Sequence, residues 1–284
     1  MSNLYRLELI VHEADIDLVT GLVSILCPQG WQEDSMTDGR ERFTLFADRK
    51  SLEHIEDEIR RYAKETEIRC TPQDEEDWLA SWKKHFTPIQ RGLFLILPPW
   101  LSATEHDDKT IPVIIEPKNA FGTGQHETTA LCLGLLSQFF LEKRTHALDP
   151  FLDLGTGSGI LAIAAAKLGM QGIGLDIDPQ AIENAKENAA RNSVEKQLHF
   201  EEGSLEKVGG KTFSLLFANI LAEPLIQLAP LIAKALAPNA LLILSGLLRI
   251  QTEQVEEAYR RENLVNPTRS FEGEWAALCF HKEG

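Results

Sequence analysis

The chain has 284 residues, 43 % of them apolar, which is enough for two globular cores. Its formal net charge of −15 argues against a non-specific grip on a nucleic-acid backbone and suits a basic protein, a small molecule or simply a well-solvated surface. The four cysteines form no Cys-x-x-Cys pair, and no uncharged stretch reaches membrane-spanning length. We therefore expect a cytoplasmic protein with neither a metal site nor a membrane partner.

The first part of the chain predicts a small α+β domain. Residues 4–12 alternate as a strand does, and residues 14–26 place apolar side chains at helical spacing. Two extended segments follow around a turn at 37–39, and Ser51 is predicted to cap a helix that ends near Ala63. A closing strand at 68–71 completes the β-α-β-β-α-β order of a ferredoxin-like domain. Such a fold is a common interaction module and by itself determines no function.

The boundary between the two domains is predicted at residues 74–90. This segment begins with a charged helix on which Trp78 and Trp82 lie one turn apart, a spacing typical of packing against a domain. Prolines punctuate the chain beyond it. We therefore predict a domain over residues 1–73 and a larger one over residues 91–284.

A glycine-containing loop at Phe121–Thr129 runs into a predicted helix at 128–140. His126 and Glu127 begin like the zinc motif H-E-x-x-H, but Ala130 stands where the second histidine is required, which excludes that motif. The loop could fold over a cofactor with its hydroxyl and N–H groups, or Thr128 could serve only as the helix cap. The residues alone leave both interpretations open.

The most informative stretch begins with the apolar strand Phe151–Leu154. Three glycines follow, Gly155, Gly157 and Gly159, and then an apolar segment with helical spacing. Glycines permit a tight strand-to-helix turn and let a ligand approach the main chain without meeting a Cβ atom. A second apolar run ends at Asp176, about 20 residues beyond the first glycine, where an acid suits ribose hydroxyls. The pattern predicts one nucleotide-binding half of an α/β sheet.

The spacing of the glycines separates two classes of cofactor. The dinucleotide fingerprint G-x-G-x-x-G requires a third glycine at position 160, which is Ile160. A phosphate-binding P-loop requires a Gly-Lys-Ser/Thr sequence that is absent here. The observed G-x-G-x-G spacing, preceded by the acid Asp153, resembles the first motif of class I S-adenosylmethionine (AdoMet) methyltransferases, and the resemblance implies AdoMet as the cofactor. Without the two acids, a glycine turn of this kind could be purely architectural.

The remaining elements continue the α/β alternation. Asn219 follows a predicted strand at 213–218 and so faces the crevice where open α/β sheets bind ligands. Its side-chain oxygen could accept a hydrogen bond from a substrate amine, although asparagine is also common at strand ends as a turn former. Gly203 and Ser204 are expected beside an adenine. The other predicted elements are a helix at 179–192, strands at 198–200, 241–244 and 276–280, and a helix at 251–263.

Four motifs occur together in this order, and the chain therefore resembles the PrmA family, whose members methylate ribosomal protein L11 (L-eleven) of the large subunit. The motifs are Phe121-Gly-Thr-Gly-x-His-x-Thr-Thr129, Asp153-Leu-Gly-Thr-Gly-Ser-Gly159, Asp176-Ile-Asp-Pro179 and Asn219-Ile-Leu-Ala222. The resemblance covers nearly the whole chain. It implies a class I AdoMet-dependent methyltransferase with a Rossmann-like, seven-stranded sheet, preceded by the ferredoxin-like domain, which recognises the protein substrate.

The resemblance also implies roles for particular residues. Asn219 would be the catalytic residue, and an acid at position 153 would help to anchor the methionine moiety. The residues implied to contact AdoMet are Thr129, Gly155, Gly157, Asp176 and Asn219. The implied reaction is displacement at the sulfonium methyl by a neutral amine, either the α-amine or a lysine side chain, with no nucleic acid contacted directly. The alternatives are a methyltransferase for another protein or a nucleic acid, and a non-catalytic AdoMet-binding module.

Overall fold

The computed structural model describes residues 4–27, 31–36, 39–72, 88–102, 107, 109–116, 126–142 and 150–283. The chain divides into two compact units, residues 1–86 and 87–284. Three predicted features lie wholly or partly outside the described residues. They are the helix with Trp78 and Trp82, residues 37–38 of the predicted turn, and residues 121–125 of the loop at 121–129. In the described part of the chain, none of the helices is long and apolar enough to cross a bilayer.

The smaller unit has a four-stranded sheet in the order β2-β3-β1-β4, with every neighbouring pair antiparallel. Leu7, Leu9, Phe43 and Leu45 alternate along the two central strands and are buried, because every second residue of a strand points to the same face. This is the predicted ferredoxin-like order. The elements are β1 (Leu4–Val11), α1 (Ile16–Leu26), β2 (Gln32–Ser35), β3 (Glu41–Asp48), α2 (Arg49–Tyr62) and β4 (Glu67–Pro72).

The predicted cap of helix α2 is wrong. The helix begins at Arg49, and its N-cap is Asp48, whose Oδ1 accepts hydrogen bonds of 3.0 Å from the backbone N–H groups of Lys50 and Ser51. Ser51 donates its own hydroxyl to the same carboxylate. These bonds from Ser51 hold the pKa of Asp48 below its ordinary value. An aspartate and a serine are both good caps, and here the end of strand β3 places the aspartate at the first turn.

The larger unit contains a seven-stranded sheet in the order β10-β9-β8-β11-β12-β14-β13. The five strands from β10 to β12 are parallel, whereas β14 runs antiparallel to both of its neighbours. A separate three-stranded sheet has the order β5-β6-β7. The strands are β5 (Ile89–Arg91), β6 (Phe94–Leu97), β7 (Ile111–Ile114), β8 (Pro150–Leu154), β9 (Gln171–Asp176), β10 (Leu198–Glu202), β11 (Phe213–Asn219), β12 (Leu236–Leu248), β13 (Thr268–Glu272) and β14 (Trp275–His281).

Helices cover both faces of the large sheet. Phe151 and Phe217 point into one core, and Leu152 and Leu216 point into the other, because successive residues of a strand face opposite ways. Both faces of the parallel strands are therefore apolar, which is consistent with the continuous apolar runs in these strands. The helices are α3 (Glu127–Leu141), α4 (Ile160–Lys167), α5 (Pro179–Arg191), α6 (Ala222–Ala235) and α7 (Thr252–Arg260).

Three elements near the C-terminus differ from the prediction. Helix α6 was not predicted, and it contains Pro230, a residue that disfavours a helix interior. Strand β12 covers residues 236–248 rather than 241–244, since its first part contains Pro238 and lacks a continuous apolar run. The polar strand β13 was also not predicted. It pairs only with β14 at the edge of the sheet, where burial requires fewer apolar residues.

Candidate cofactor and active site

The order of the parallel strands reverses between β8 and β11, so the loops at their carboxyl ends separate and leave a crevice. A cavity of about 490 Å³ lies there. The described residues that line it all belong to the larger unit. The lining includes the five residues that the resemblance implied would contact AdoMet, namely Thr129, Gly155, Gly157, Asp176 and Asn219.

The glycine loop at residues 155–159, which joins strand β8 to helix α4, forms one wall of the cavity. Gly155, Gly157 and Gly159 have φ values of 75°, 54° and 81°, a left-handed region that glycine adopts without strain. A Cβ atom on Gly155 would lie 2.3 Å from Cγ2 of Ile220, so the position has no room for a side chain. The backbone of the loop is also tied to the next strand, because Gly155 N–H donates to the Leu175 carbonyl at 2.8 Å. A ligand in the cavity can therefore reach the main chain of this loop.

Asp176 lies at the carboxyl end of β9, and hydrogen bonds fix its carboxylate. Oδ2 accepts from Gly157 N–H at 2.8 Å, and Oδ1 accepts from Asp178 N–H at 3.0 Å. A carboxylate has about four acceptor positions, so each oxygen can accept a further hydrogen bond from a ligand. Two neighbouring hydroxyl groups, such as those of a ribose, match this pair of oxygens.

Asn219 ends strand β11 on the opposite side of the crevice. Its Nδ2 donates to the Thr129 hydroxyl at 3.5 Å, which orients the amide. Its Oδ1 is buried and has no hydrogen-bond partner in the described part of the chain. A buried acceptor without a partner typically costs about 1–3 kcal/mol of stability. Because the side chain lines the cavity, a donor group of a bound molecule would satisfy this oxygen.

The first turn of α3 carries two further groups that line the cavity. His126, not Thr128, is the N-cap of this helix, and its Nδ1 accepts from Thr128 N–H at 3.3 Å. Thr128 is buried, and its hydroxyl lies 2.9 Å from Nδ1 of His126. The imidazole ring also contacts the ring of Trp275 edge to face, with 4.7 Å between the centroids. The interpretation of Thr128 as the cap is therefore wrong.

Several residues that line the cavity escaped the sequence analysis. Leu221, Pro224 and Leu228 make one side of it apolar, and the ring of Trp275 contributes from the end of β14. Ile220 and Leu221 could have been inferred, since they directly follow Asn219. Trp275 could not, because only the antiparallel pairing of β14 with β12, which sets it opposite Leu248, brings it to this edge of the sheet.

Asp153 occupies a different place from the one that the resemblance implies. It is 1 % exposed and is not among the cavity-lining residues. Its Oδ2 accepts from the Thr156 hydroxyl at 2.7 Å and from Ala162 N–H at 3.2 Å, so it joins the glycine loop to helix α4. Burial raises the pKa of Asp153 to about 7, although the hydrogen bond from Thr156 opposes this shift.

This raised pKa predicts a pH-dependent stability. Between the ordinary pKa near 3.8 and about 7, the folded protein binds one proton more than the unfolded chain at Asp153. The extra proton stabilises the folded protein. This stabilisation is complete below pH 3.8, and the free energy of unfolding falls by up to about 1.4 kcal/mol per pH unit from there to pH 7. Asp153→Asn has no titrating group at this position, so its free energy of unfolding does not show this fall. The free energy of unfolding of the variant minus that of the wild type should therefore increase with pH.

Urea unfolding of the wild type and of Asp153→Asn at pH 5, 6, 7 and 8 measures this difference. We expect it to increase up to about pH 7 and to stay constant above, because the carboxyl is then ionised in both states. Other carboxyl groups titrate equally in both proteins and cancel. A difference that is the same at every pH would show that Asp153 is ionised throughout the range.

The sheet with its single antiparallel strand, the glycine loop and the acid at the end of β9 define the class of this protein as a class I AdoMet-dependent methyltransferase. The described residues contain no group of three metal-ligating side chains. The model of the family "Ribosomal protein L11 methyltransferase (PrmA)" matches residues 29–283. The chain belongs to this family, which confirms the resemblance that its motifs indicated.

Individual relatives agree with this assignment. A ribosomal protein L11 methyltransferase from Pelobacter propionicus is 38 % identical over 255 residues, which cover 89 % of this chain and 80 % of that protein. One from Thermus thermophilus is 41 % identical over 207 residues, or 72 % of this chain and 78 % of that protein. The crystal structure of a ribosomal protein L11 methylase from Lactobacillus delbrueckii subsp. bulgaricus matches with a TM-score of 0.62 and 29 % identity. The matched region covers 70 % of this chain and 100 % of the chain in that crystal structure.

Proposed function

We propose that this protein transfers methyl groups from AdoMet to amines of ribosomal protein L11, at lysine side chains, the α-amine or both. The family and the names of the relatives support the substrate. The observation that supports the chemistry is the buried Oδ1 of Asn219, an acceptor without a described partner on a residue that lines the cavity. Such an oxygen suits the N–H of an amine that must be held with its lone pair directed at a methyl group.

The residues around the cavity fit AdoMet. Asp176 would accept hydrogen bonds from the ribose hydroxyls, and the backbone at Gly155 and Gly157 would lie along the methionine part. Thr129 would contact the cofactor from the first turn of α3, and Gly203 would lie beside the adenine. AdoMet supplies a methyl group on a positively charged sulfur, which is already activated as a leaving group.

The protein then has to hold a neutral amine in the correct place. A lysine with a pKa near 10.4 loses its proton at pH 7 at a cost of about 4–5 kcal/mol. The apolar side of the cavity, formed by Leu221, Pro224, Leu228 and Trp275, disfavours the charged ammonium and so reduces that cost. Asn219 Oδ1 orients the neutral amine. We infer that most of the rate enhancement comes from this orientation.

The smaller unit is proposed to recognise the protein substrate. The described residues that line the cavity belong to the larger unit, and the smaller unit has its own apolar core. A separate module of this kind can bind ribosomal protein L11 and so raise the local concentration of its amines. Ribosomal proteins are made in the cytoplasm, and we propose that the enzyme acts there.

The test is intact-mass spectrometry of purified ribosomal protein L11 after incubation with this protein and AdoMet. We expect the mass to increase in steps of one methyl group, and peptide mapping to place the additions on amines. Incubation without AdoMet is the control. The proposal would be overturned if L11 gained no methyl group while a ribosomal RNA or another ribosomal protein in a parallel reaction did.

A further inference from the structure

Three buried asparagines lie along one side of helix α5, two within the helix and the third, Asn192, as its C-cap. Asn184, Asn188 and Asn192 are four residues apart, so they lie above one another on the helix. Their side chains are 3 %, 0 % and 4 % exposed. Asparagine is seldom buried so completely, and buried amides need hydrogen-bond partners. The partners of each amide therefore indicate why these polar side chains lie in the interior.

Asn188 joins two segments that are far apart in the sequence. Its Nδ2 donates to the Ser158 carbonyl at 2.9 Å, and its Oδ1 accepts from Glu116 N–H at 3.0 Å. Ser158 lies between Gly157 and Gly159 in the glycine loop. Because Gly157 N–H donates to Asp176, the loop is held by Asp176 at the cavity and by Asn188 from helix α5.

Asn192 offers an instructive contrast one turn further along the helix. Its Oδ1 accepts from Ile114 N–H at 2.9 Å, and its Nδ2 donates to the Ile114 carbonyl at 2.6 Å. Both bonds go to the end of β7. In the described part of the chain the Asn192 side chain hydrogen-bonds Ile114 and Asn188 and no residue of the loop at 155–159. Asn188 lies within α5 and Asn192 is its C-cap, so the two are matched in residue type and burial and lie one turn apart. They differ in whether they hold the loop.

We propose that Asn188 is a positioning residue for AdoMet. Glycines with positive φ have unusual backbone freedom, so the loop at 155–159 would sample several conformations if nothing held it. The bond to the Ser158 carbonyl restricts the loop before the cofactor arrives, which reduces the conformational entropy lost on binding. The inference rests on the proposed use of this cavity for AdoMet and adds a residue that does not line it.

The test compares Asn188→Ala with Asn192→Ala in the full-length protein. Each variant loses one buried amide and two hydrogen bonds from distant segments, so both should lower the melting temperature. Calorimetric titration should show AdoMet affinity reduced about tenfold in Asn188→Ala and by less than about twofold in Asn192→Ala. With ribosomal protein L11 as acceptor, Asn188→Ala should raise KM for AdoMet and leave kcat at saturation nearly unchanged.

Loss of folded protein alone would lower kcat and leave KM unaltered, so the two explanations give different kinetics. Equal AdoMet affinities in the two variants would overturn the positioning role. If Asn188→Ala does not fold, Asn188→Leu replaces it. Leucine has the same heavy-atom branching as asparagine and no side-chain donor or acceptor at any pH, so it removes the bond to the Ser158 carbonyl, and affinity equal to that of the wild type would likewise overturn the role. Failure of the wild type to bind AdoMet would instead contradict the proposed function.

Discussion

A shortened chain that begins at residue 74 is expected to bind AdoMet with unchanged affinity and to methylate ribosomal protein L11 roughly 100-fold more slowly than the full-length protein. The cavity-lining residues that the structure describes all remain in the shortened chain. The proposed recognition unit is lost, and binding energy that comes from remote parts of a substrate serves to position its reacting atoms. The measurement is the initial rate of methyl transfer to intact L11 at matched AdoMet saturation.

Circular dichroism and AdoMet titration of the shortened chain show whether the larger unit has folded. A short lysine-containing peptide serves as a second acceptor. It lacks the folded surface that residues 1–73 are proposed to recognise, so its slow methylation should be nearly equal in the two proteins. Equal rates with intact L11 would mean that residues 1–73 do not recruit this substrate, and the domain assignment would then have to be abandoned.

Asn219→Ala should lower kcat for methyl transfer by roughly 100-fold while AdoMet affinity changes much less. The substitution removes the acceptor Oδ1, which is buried at the cavity, and the hydrogen bond that Nδ2 donates to Thr129. A neutral amine would still enter but would no longer be held with its lone pair directed at the methyl group. Single-turnover kinetics with AdoMet prebound separate this step from cofactor binding.

Ser245→Ala is the matched control for Asn219→Ala. Ser245 is the partner of Asn219 in the register of β11 and β12, is fully buried, and donates its hydroxyl to the Ala276 carbonyl at 3.0 Å. It does not line the cavity. Its removal should lower stability by about 1 kcal/mol and leave kcat nearly unchanged. A similar loss of kcat in both variants would assign the effect of Asn219 to packing at the strand end rather than to the amine.

Much of the fold and of the site could be predicted because the requirements are local. Residues 151–168 illustrate this. An apolar run predicts the strand, spaced glycines predict the turn with positive φ, and apolar residues at helical spacing predict the buried helix. Asp176 and Asn219 follow their strands immediately, so placing the strands also placed these side chains at one edge of the sheet. The four motifs together then indicated the family. Their combination in this order is specific, whereas each motif alone is not.

Only the tertiary structure showed the features that depend on segments distant in sequence. Trp275 reaches the cavity because β14 runs antiparallel beside β12, and no local pattern records that pairing. Asp153 turned out to be buried under the loop, and Asn188 to hold it from helix α5. An acid or an amide has the same letter in the sequence whether it faces solvent, a ligand or the interior. Its role is decided by which backbone groups the fold brings within hydrogen-bonding distance.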